Sequence, residues 1–165
     1  MTIEIREATA GEYAEAGRVT ADAYREFVRD GDDDWREYLD HIADVEGRAD
    51  RTTILVAMEG GRILGSATLE LFDRVEPEDD PSLHPDEAHV RMVGVDPGAR
   101  RRGIARGLFD RCFQIARANG KTFVTLHTTE RMATAQRMYE AMGFLRLDDR
   151  VFPDGFVLLT YRIEL

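Results

Sequence analysis

Val93-Gly94-Val95-Asp96-Pro97-Gly98-Ala99-Arg100-Arg101-Arg102-Gly103-Ile104-Ala105 is the stretch on which the fold turns. It opens as a strand, is stopped by Asp96-Pro97-Gly98, and passes through Gly103 into a helical pattern. A helix N-terminus leaves backbone N–H groups unpaired and carries the positive end of the helix dipole. That combination attracts anions, phosphate above all. Glycine at 103 lets backbone approach an oxygen closely, and three consecutive arginines add charge and forked donors. Other phosphate loops fit poorly. The dinucleotide fingerprint needs three spaced glycines, and here only Gly98 and Gly103 are present. Gly120-Lys121-Thr122 looks like the end of a P-loop, but Ile115 stands where that motif needs glycine, and the order of strand and helix is reversed.

Outward from this stretch, strands and helices alternate. Thr2–Arg6 alternates as a strand, Thr9 or Ala10 to Phe27 reads as a helix, and Tyr38–Glu46 as a second helix. Asp30-Gly31-Asp32-Asp33-Asp34 between them reads as a turn. It does not fit a calcium loop, because Trp35 and His41 occupy the positions that need glycine and glutamate. Thr52–Glu59 and Arg62–Phe72 form a hairpin about Gly60-Gly61. Residues 73–86 carry three prolines and read as a loop. His89–Val95 is the next strand, and Gly103–Asn119 a helix with Ile104, Leu108, Cys112 and Ile115 inward. Lys121–His127 is a strand, Glu130–Met142 a helix capped by Gly143, and Phe144–Leu147 and Phe156–Ile163 the last strands. The order β-α-α-β-β-β-α-β-α-β-β predicts an α/β fold with a mixed sheet and helices on both faces. The crossover from His89 through the helix to strand 121–127 should be right-handed and parallel.

The chain has 165 residues, 43% hydrophobic and 33% charged, and reads as a single domain over 1–165. At this length about 68–70% of the unfolded surface can be buried. The net charge of -10 argues against nucleic acid as a partner. No apolar run approaches the ~20 residues of a membrane span, and the N-terminus has no signal-peptide pattern. The single cysteine, Cys112, allows no intrachain disulfide or cysteine metal site and reads as a buried structural thiol; no metal is expected. A cytoplasmic location is the expectation. The charge is uneven: residues 73–87 hold seven acids against Arg74, and residues 91–106 five arginines against Asp96.

The segment Arg100-Arg101-Arg102-Gly103-Ile104-Ala105, after a Val-Asp-Pro strand end and before a long helix, resembles the (Gln/Arg)-x-x-Gly-x-(Gly/Ala) motif of the GNAT N-acetyltransferases. Ala135-x-x-x-Tyr139-x-x-x-Gly143-Phe144 is similar to that family's tyrosine helix and the strand after it. The resemblance implies a GNAT fold with a mixed, mostly antiparallel central sheet, and acetyl-CoA as co-substrate. It implies that backbone N–H groups around Arg100, Arg101, Arg102, Gly103, Ile104, Ala105 and Arg106 cradle the diphosphate. Val93, Gly94 and Val95 would pair with the pantetheine arm. Met132 stands where many members carry a cofactor-contacting asparagine. Gly94 is independently suggestive, since a strand glycine marks a bulge or a close backbone approach. A homodimer is also implied, because final strands in this family often pair or exchange between subunits.

Transfer to an amine needs a neutral nucleophile. A lysine-like amine has a pKa of about 10.4, so a base helps. The leaving thiolate needs a proton, which a tyrosine can donate. Tyr139 is the candidate acid by resemblance; its place in the apolar stripe Met132, Ala135, Tyr139, Met142 equally suits a core residue, and both roles are compatible. The base is open between His127, His89, Glu87 and ordered water. His89 falls near the strand glutamate of many members, and His127 near the catalytic glutamate of ribosomal-protein alanine acetyltransferases. An imidazole suits base catalysis at neutral pH. The acidic segment 73–87 favours a small cationic amine as acceptor by steering, with Phe27 and Trp35 lining the same cleft; a protein N-terminus or lysine is the alternative. A non-catalytic acyl-CoA sensor, or an interaction domain using the acidic loop, are readings of another class.

Overall fold

The computed structural model describes residues 2–76 and 82–165. The central part of the acidic segment, Pro77, Glu78, Asp79, Asp80 and Pro81, lies outside the described residues.

The strands are β1 (Glu4–Glu7), β2 (Thr53–Glu59), β3 (Arg62–Glu70), β4 (Glu87–Val95), β5 (Phe123–Thr129), β6 (Leu145–Arg146), β7 (Arg150–Val151) and β8 (Val157–Glu164). The helices are α1 (Tyr13–Tyr24), α2 (Asp33–Ala43), α3 (Glu46–Ala49), α4 (Ile104–Ala118) and α5 (Ala133–Met142). The sheet order is β1-β2-β3-β4-β5-β8-β6, with β7 also on β8. Among the described residues only β4 and β5 run parallel, so the sheet is mixed and mostly antiparallel, as expected.

Alternation in β2 explains the layers. Leu55 and Ala57 join the core under α4 and α5, whereas Ile54 and Val56 pack with Ala16 and Val19 of α1. Helices therefore cover both faces. In α4 the buried stripe is Ile104, Leu108, Phe109, Cys112, Phe113 and Ala116. Ile115, expected inside, is only half-buried, and Ala116 takes the inner position. Cys112 is fully buried, which pushes its thiol up to about 12 and leaves it inert, as a structural thiol should be.

Three local readings change. The acidic run is a turn only to Asp32; α2 begins at Asp33 rather than Tyr38, because Asp33 and Asp34 complement the helix dipole in its first turn. The last helix starts at Ala133 rather than Glu130, after a turn held by the Met132 amide on the Thr129 carbonyl. Short α3 and β7 are additional elements.

The feature that positions the site is a β-bulge. Ser66 pairs with Gly94 and Thr68 with Arg91, so Ala67 of β3 stands against both Met92 and Val93 of β4. Met92 has φ 53°, in the left-handed region. Pairing of β4 with β5 stops at Val90 and Leu126, while β5 stays paired with β8 as far as Thr129. Beyond Val90 the two central strands diverge.

Candidate active site

Two backbone features meet at the opening between β4 and β5. The first is the loop after β4. Asp96 turns the chain: its side chain accepts from the Gly98 amide at 2.8 Å and from Arg62 at 2.6 Å. Arg101 and Gly103 then take φ 64° and 76°, and α4 starts at Ile104. A Cβ on Gly103 would touch nothing, so its positive φ alone calls for glycine, and its open side faces outward. The amides of Ile104, Ala105 and Arg106 open the helix and have no partner within it.

The arginines divide their work. Arg100 forks onto Glu26 at 2.8 and 3.1 Å, and Arg102 onto Glu59 at 2.6 and 3.1 Å. Arg106 meets Asp110 at 3.1 Å. These side chains anchor the loop to α1 and to the β2–β3 hairpin rather than standing ready for a ligand. Arg101 has no ion pair among the described residues. An anion here meets backbone amides and the Arg101 charge.

The second feature is the unpaired edge of β4. Val93, Gly94 and Val95 face the opening with no β5 rung beside them among the described residues. The close approach that Gly94 permits is that of α1: a Cβ there would lie 2.9 Å from the Thr20 Cα and 3.2 Å from the Ala23 Cβ. One turn beyond Thr20, Tyr24 lies near the bulge; burial raises its phenol well above the usual range, and Arg91 and the Val93 amide oppose that rise. Tyr24 also senses Tyr139 of α5 electrostatically. The two helices lie on opposite faces, so this influence acts across the sheet.

Tyr139 is buried in an aromatic cluster with Phe109, Phe144 and Tyr161, ring centroids 5.7, 5.9 and 5.8 Å away. Burial, then the neighbouring Tyr161, raises its phenol well above the usual range, so it keeps its proton at any physiological pH. Met132 is buried at the α5 start, its sulfur accepting from the Thr128 hydroxyl at 3.3 Å.

The sequence-predicted bases form one connected group on the α1 side of the sheet. His89 and His127 are neighbours, ring centroids 4.7 Å apart. His89 is fully buried; its Nδ1 lies 2.7 Å from the Thr125 hydroxyl, which in turn donates to Glu87. Arg74 faces Glu87 at 3.4 Å. His127 Nδ1 lies 3.1 Å from the Thr160 hydroxyl. Burial first, then the positive potential of His127, Arg74 and Arg91, pulls His89 well below the usual histidine range. His127 is the first residue on this face of β5 past the last rung with β4, and so flanks the opening.

The outer wall is aromatic and paired. Tyr24 and Phe27 make an edge contact at 6.3 Å, and Trp35 and Tyr38 another at 5.9 Å. Arg131 crosses over Trp35 and binds Asp32 at 2.7 Å and the Phe27 carbonyl at 3.0 Å. Of the acidic segment, Glu76 is shared between His41 at 2.6 Å and Arg91 at 3.4 Å, which lowers its pKa. The sequence pointed to Phe27 and Trp35. It gave no sign of Tyr24 or Thr125, which enter through packing and strand register.

A protein-family model for the Acetyltransferase (GNAT) family matches residues 18–144, well over half of the chain. The chain belongs to the GNAT acetyltransferase family. Among curated GNAT-like relatives, mycothiol acetyltransferase of Beutenbergia cavernae is 42% identical over 62 residues, covering 36% of this chain and 21% of that protein. Human N-acetyltransferase 8 is 34% identical over 76 residues, 46% of this chain and 34% of that protein. The chain thus matches only about a third or less of the length of these relatives. Solved structures share the GNAT fold along the whole chain. The Salmonella typhimurium protein yncA, solved with its cofactor acetyl-CoA, has a TM-score of 0.68 at 20% identity, covering 100% of this chain and 95% of that one. An acetyltransferase from Streptococcus agalactiae has a TM-score of 0.71 at 24% identity, covering 99% and 98%.

Proposed function

We propose that this chain is an N-acetyltransferase that uses acetyl-CoA and acylates a primary amine by direct attack in a ternary complex. The observation that carries the reading is the opening between β4 and β5, with a helix start of free amides at one end; buried, protonated Tyr139 of α5 supports it. The residues fit the co-substrate: an amide-lined turn for a diphosphate, and an unpaired strand edge at Val93, Gly94 and Val95 for an extended amide-bearing arm. The solved relative yncA, with acetyl-CoA bound, supports the same choice.

Bound acetyl-CoA supplies the thioester carbonyl that an amine attacks and a thiolate that leaves. The chain's own groups do the rest. The amides of Arg101–Arg106 hold the diphosphate, with the Arg101 charge beside them. A β4 amide polarises the carbonyl. Tyr139 holds the proton that the thiolate needs, and His127, backed by His89 and Glu87, accepts the proton of the amine. Met132 packs at the turn beside the arm. The acceptor is a small amine; the acidic composition of residues 73–87 supports a cationic one. Exposed Leu145 and Val151 on the last strands, with Leu147 and Phe156 beside them, support pairing with a second copy.

The test is thiol release from acetyl-CoA over a panel of primary amines, with calorimetric titration of CoA alongside. CoA binding without turnover on any amine would convert the reading to a binding module. Tyr139→Phe keeps the ring contacts and should lower turnover about 10²–10⁴-fold with CoA affinity unchanged. Equal turnover removes the phenol as the acid.

A further inference from the structure

The direction of each hydrogen bond behind the two histidines can be worked out from donor counting. Glu87 is a carboxylate facing Arg74, and both side chains are about nine-tenths buried. A carboxylate only accepts, so the Thr125 hydroxyl spends its one proton on Glu87. Thr125 therefore has only a lone pair for the His89 Nδ1 that lies 2.7 Å away. His89 Nδ1 must carry hydrogen and donate.

His89 is buried beside three groups of positive or positive-going charge, Arg74, Arg91 and His127, so the ring is neutral. A neutral ring with hydrogen on Nδ1 has a bare Nε2. Glu70 pairs with His89 across the β3 rung and adds a carboxylate to the charged groups around it.

We propose that Thr125 and Glu87 are positioning residues that lock His89 in the Nδ1–H tautomer, so that Nε2 is the basic atom offered toward His127 and the opening. This rests on the acyltransfer reading above. Register explains why the lock works: His89 and Thr125 are direct partners in the parallel pair, and Glu87 sits two residues before His89 on the same face. The buried ion pair with Arg74 keeps Glu87 an acceptor.

The proton count balances. The attacking amine gives up one proton, which the histidine pair takes at a bare ring nitrogen, while the hydrogens on His89 Nδ1 and Thr125 stay in place. Glu87 remains a carboxylate beside Arg74, and no bond other than those to hydrogen changes.

The experiment compares Thr125→Val with Thr125→Ser by long-range proton–nitrogen correlation on histidine-labelled protein, and by the pH profile of kcat. The wild type and Thr125→Ser should show His89 as the Nδ1–H tautomer. Thr125→Val should lose that tautomer, lower kcat about 10²-fold with KM little changed, and shift the acid limb of the profile. An Nε2–H tautomer in the wild type overturns the proposal, and so does Thr125→Val with an unchanged tautomer and kcat. Should Thr125→Val not fold, the wild-type and serine spectra still decide. No thiol release from the wild type on any amine defeats the acyltransfer reading instead, and leaves the tautomer measurement standing.

Discussion

Gly94→Ala probes the contact that sets the site. The new Cβ would sit 2.9 Å from the Thr20 Cα, 3.1 Å from Thr20 Cγ2 and 3.2 Å from the Ala23 Cβ. Carbon atoms settle at about 3.5–4.0 Å, so α1 must retreat by roughly half an ångström or more. The nearest of the three atoms is backbone, which no rotamer change relieves. Overpacking of this kind costs about 1–3 kcal/mol, and removing a strand glycine returns about 0.5–1 kcal/mol. The net loss is about 1–2 kcal/mol, or about 2–8 °C in Tm for a domain of this size. Gly98→Ala is the control. Its Cβ would meet only Asp96 Oδ1, at 3.4 Å, and the change should stay within about 0.5 kcal/mol. Denaturant unfolding of both variants measures the difference. Because α1 carries Tyr24 to the Val93 amide, kcat/KM should fall in Gly94→Ala beyond what CoA affinity loses. A Gly94→Ala protein as stable as the parent, or a Gly98→Ala loss of equal size, refutes the packing argument.

Arg101→Gln should weaken CoA binding and flatten its dependence on salt more than Arg100→Gln or Arg102→Gln, because those two side chains are already paired with Glu26 and Glu59; calorimetry at two salt concentrations checks the order, and equal losses at all three positions contradict it. His89 gives stability a pH dependence with a defined sign. Its folded pKa lies below the usual 6.5, so at mildly acidic pH the unfolded chain binds the extra proton. Its contribution is present above about pH 6.5 and is lost as pH falls below it. Denaturant midpoints at pH 5 and 7.5 should differ in that direction, and less so in His89→Gln.

What the sequence conveyed was local. The Gly103 turn, most of the α4 stripe and the body of the Tyr139 helix follow from spacing within a few turns; Ile115 gives its inner place to Ala116, and the last helix starts three residues late, at Ala133. The start of α2 was missed because an aspartate run suits both a turn and a helix N-terminus. The roles of the arginines were not legible, since charge can be counted from sequence but partners cannot: Glu26 lies 74 positions from Arg100, and Glu59 lies 43 from Arg102. Thr125 was invisible for the same reason. It matters only because strand register sets it between His89 and Glu87, and register is fixed by pairing across the sheet rather than by neighbours in the chain. Gly94 was legible as a close approach, but only packing reveals that α1 is what approaches.

The opening itself follows from competing pairings. The bulge at Met92 and Val93 turns β4 away, while seven rungs with β8 hold β5 straight to Thr129. Two strand edges are thereby left facing each other in the middle of a sheet, where unpaired backbone groups cost about 1–3 kcal/mol each if kept from water. In the proposed reading an extended ligand carrying amides relieves that deficit, and its recognition falls to backbone rather than to the side chains of Val93 and Val95. The same logic answers the net charge of -10. Carboxylates neutralise most of the loop's arginines, yet the helix start keeps amides that no carboxylate among the described residues has taken. Positive potential in this protein is built from backbone geometry, and it survives in a chain that is acidic almost everywhere else.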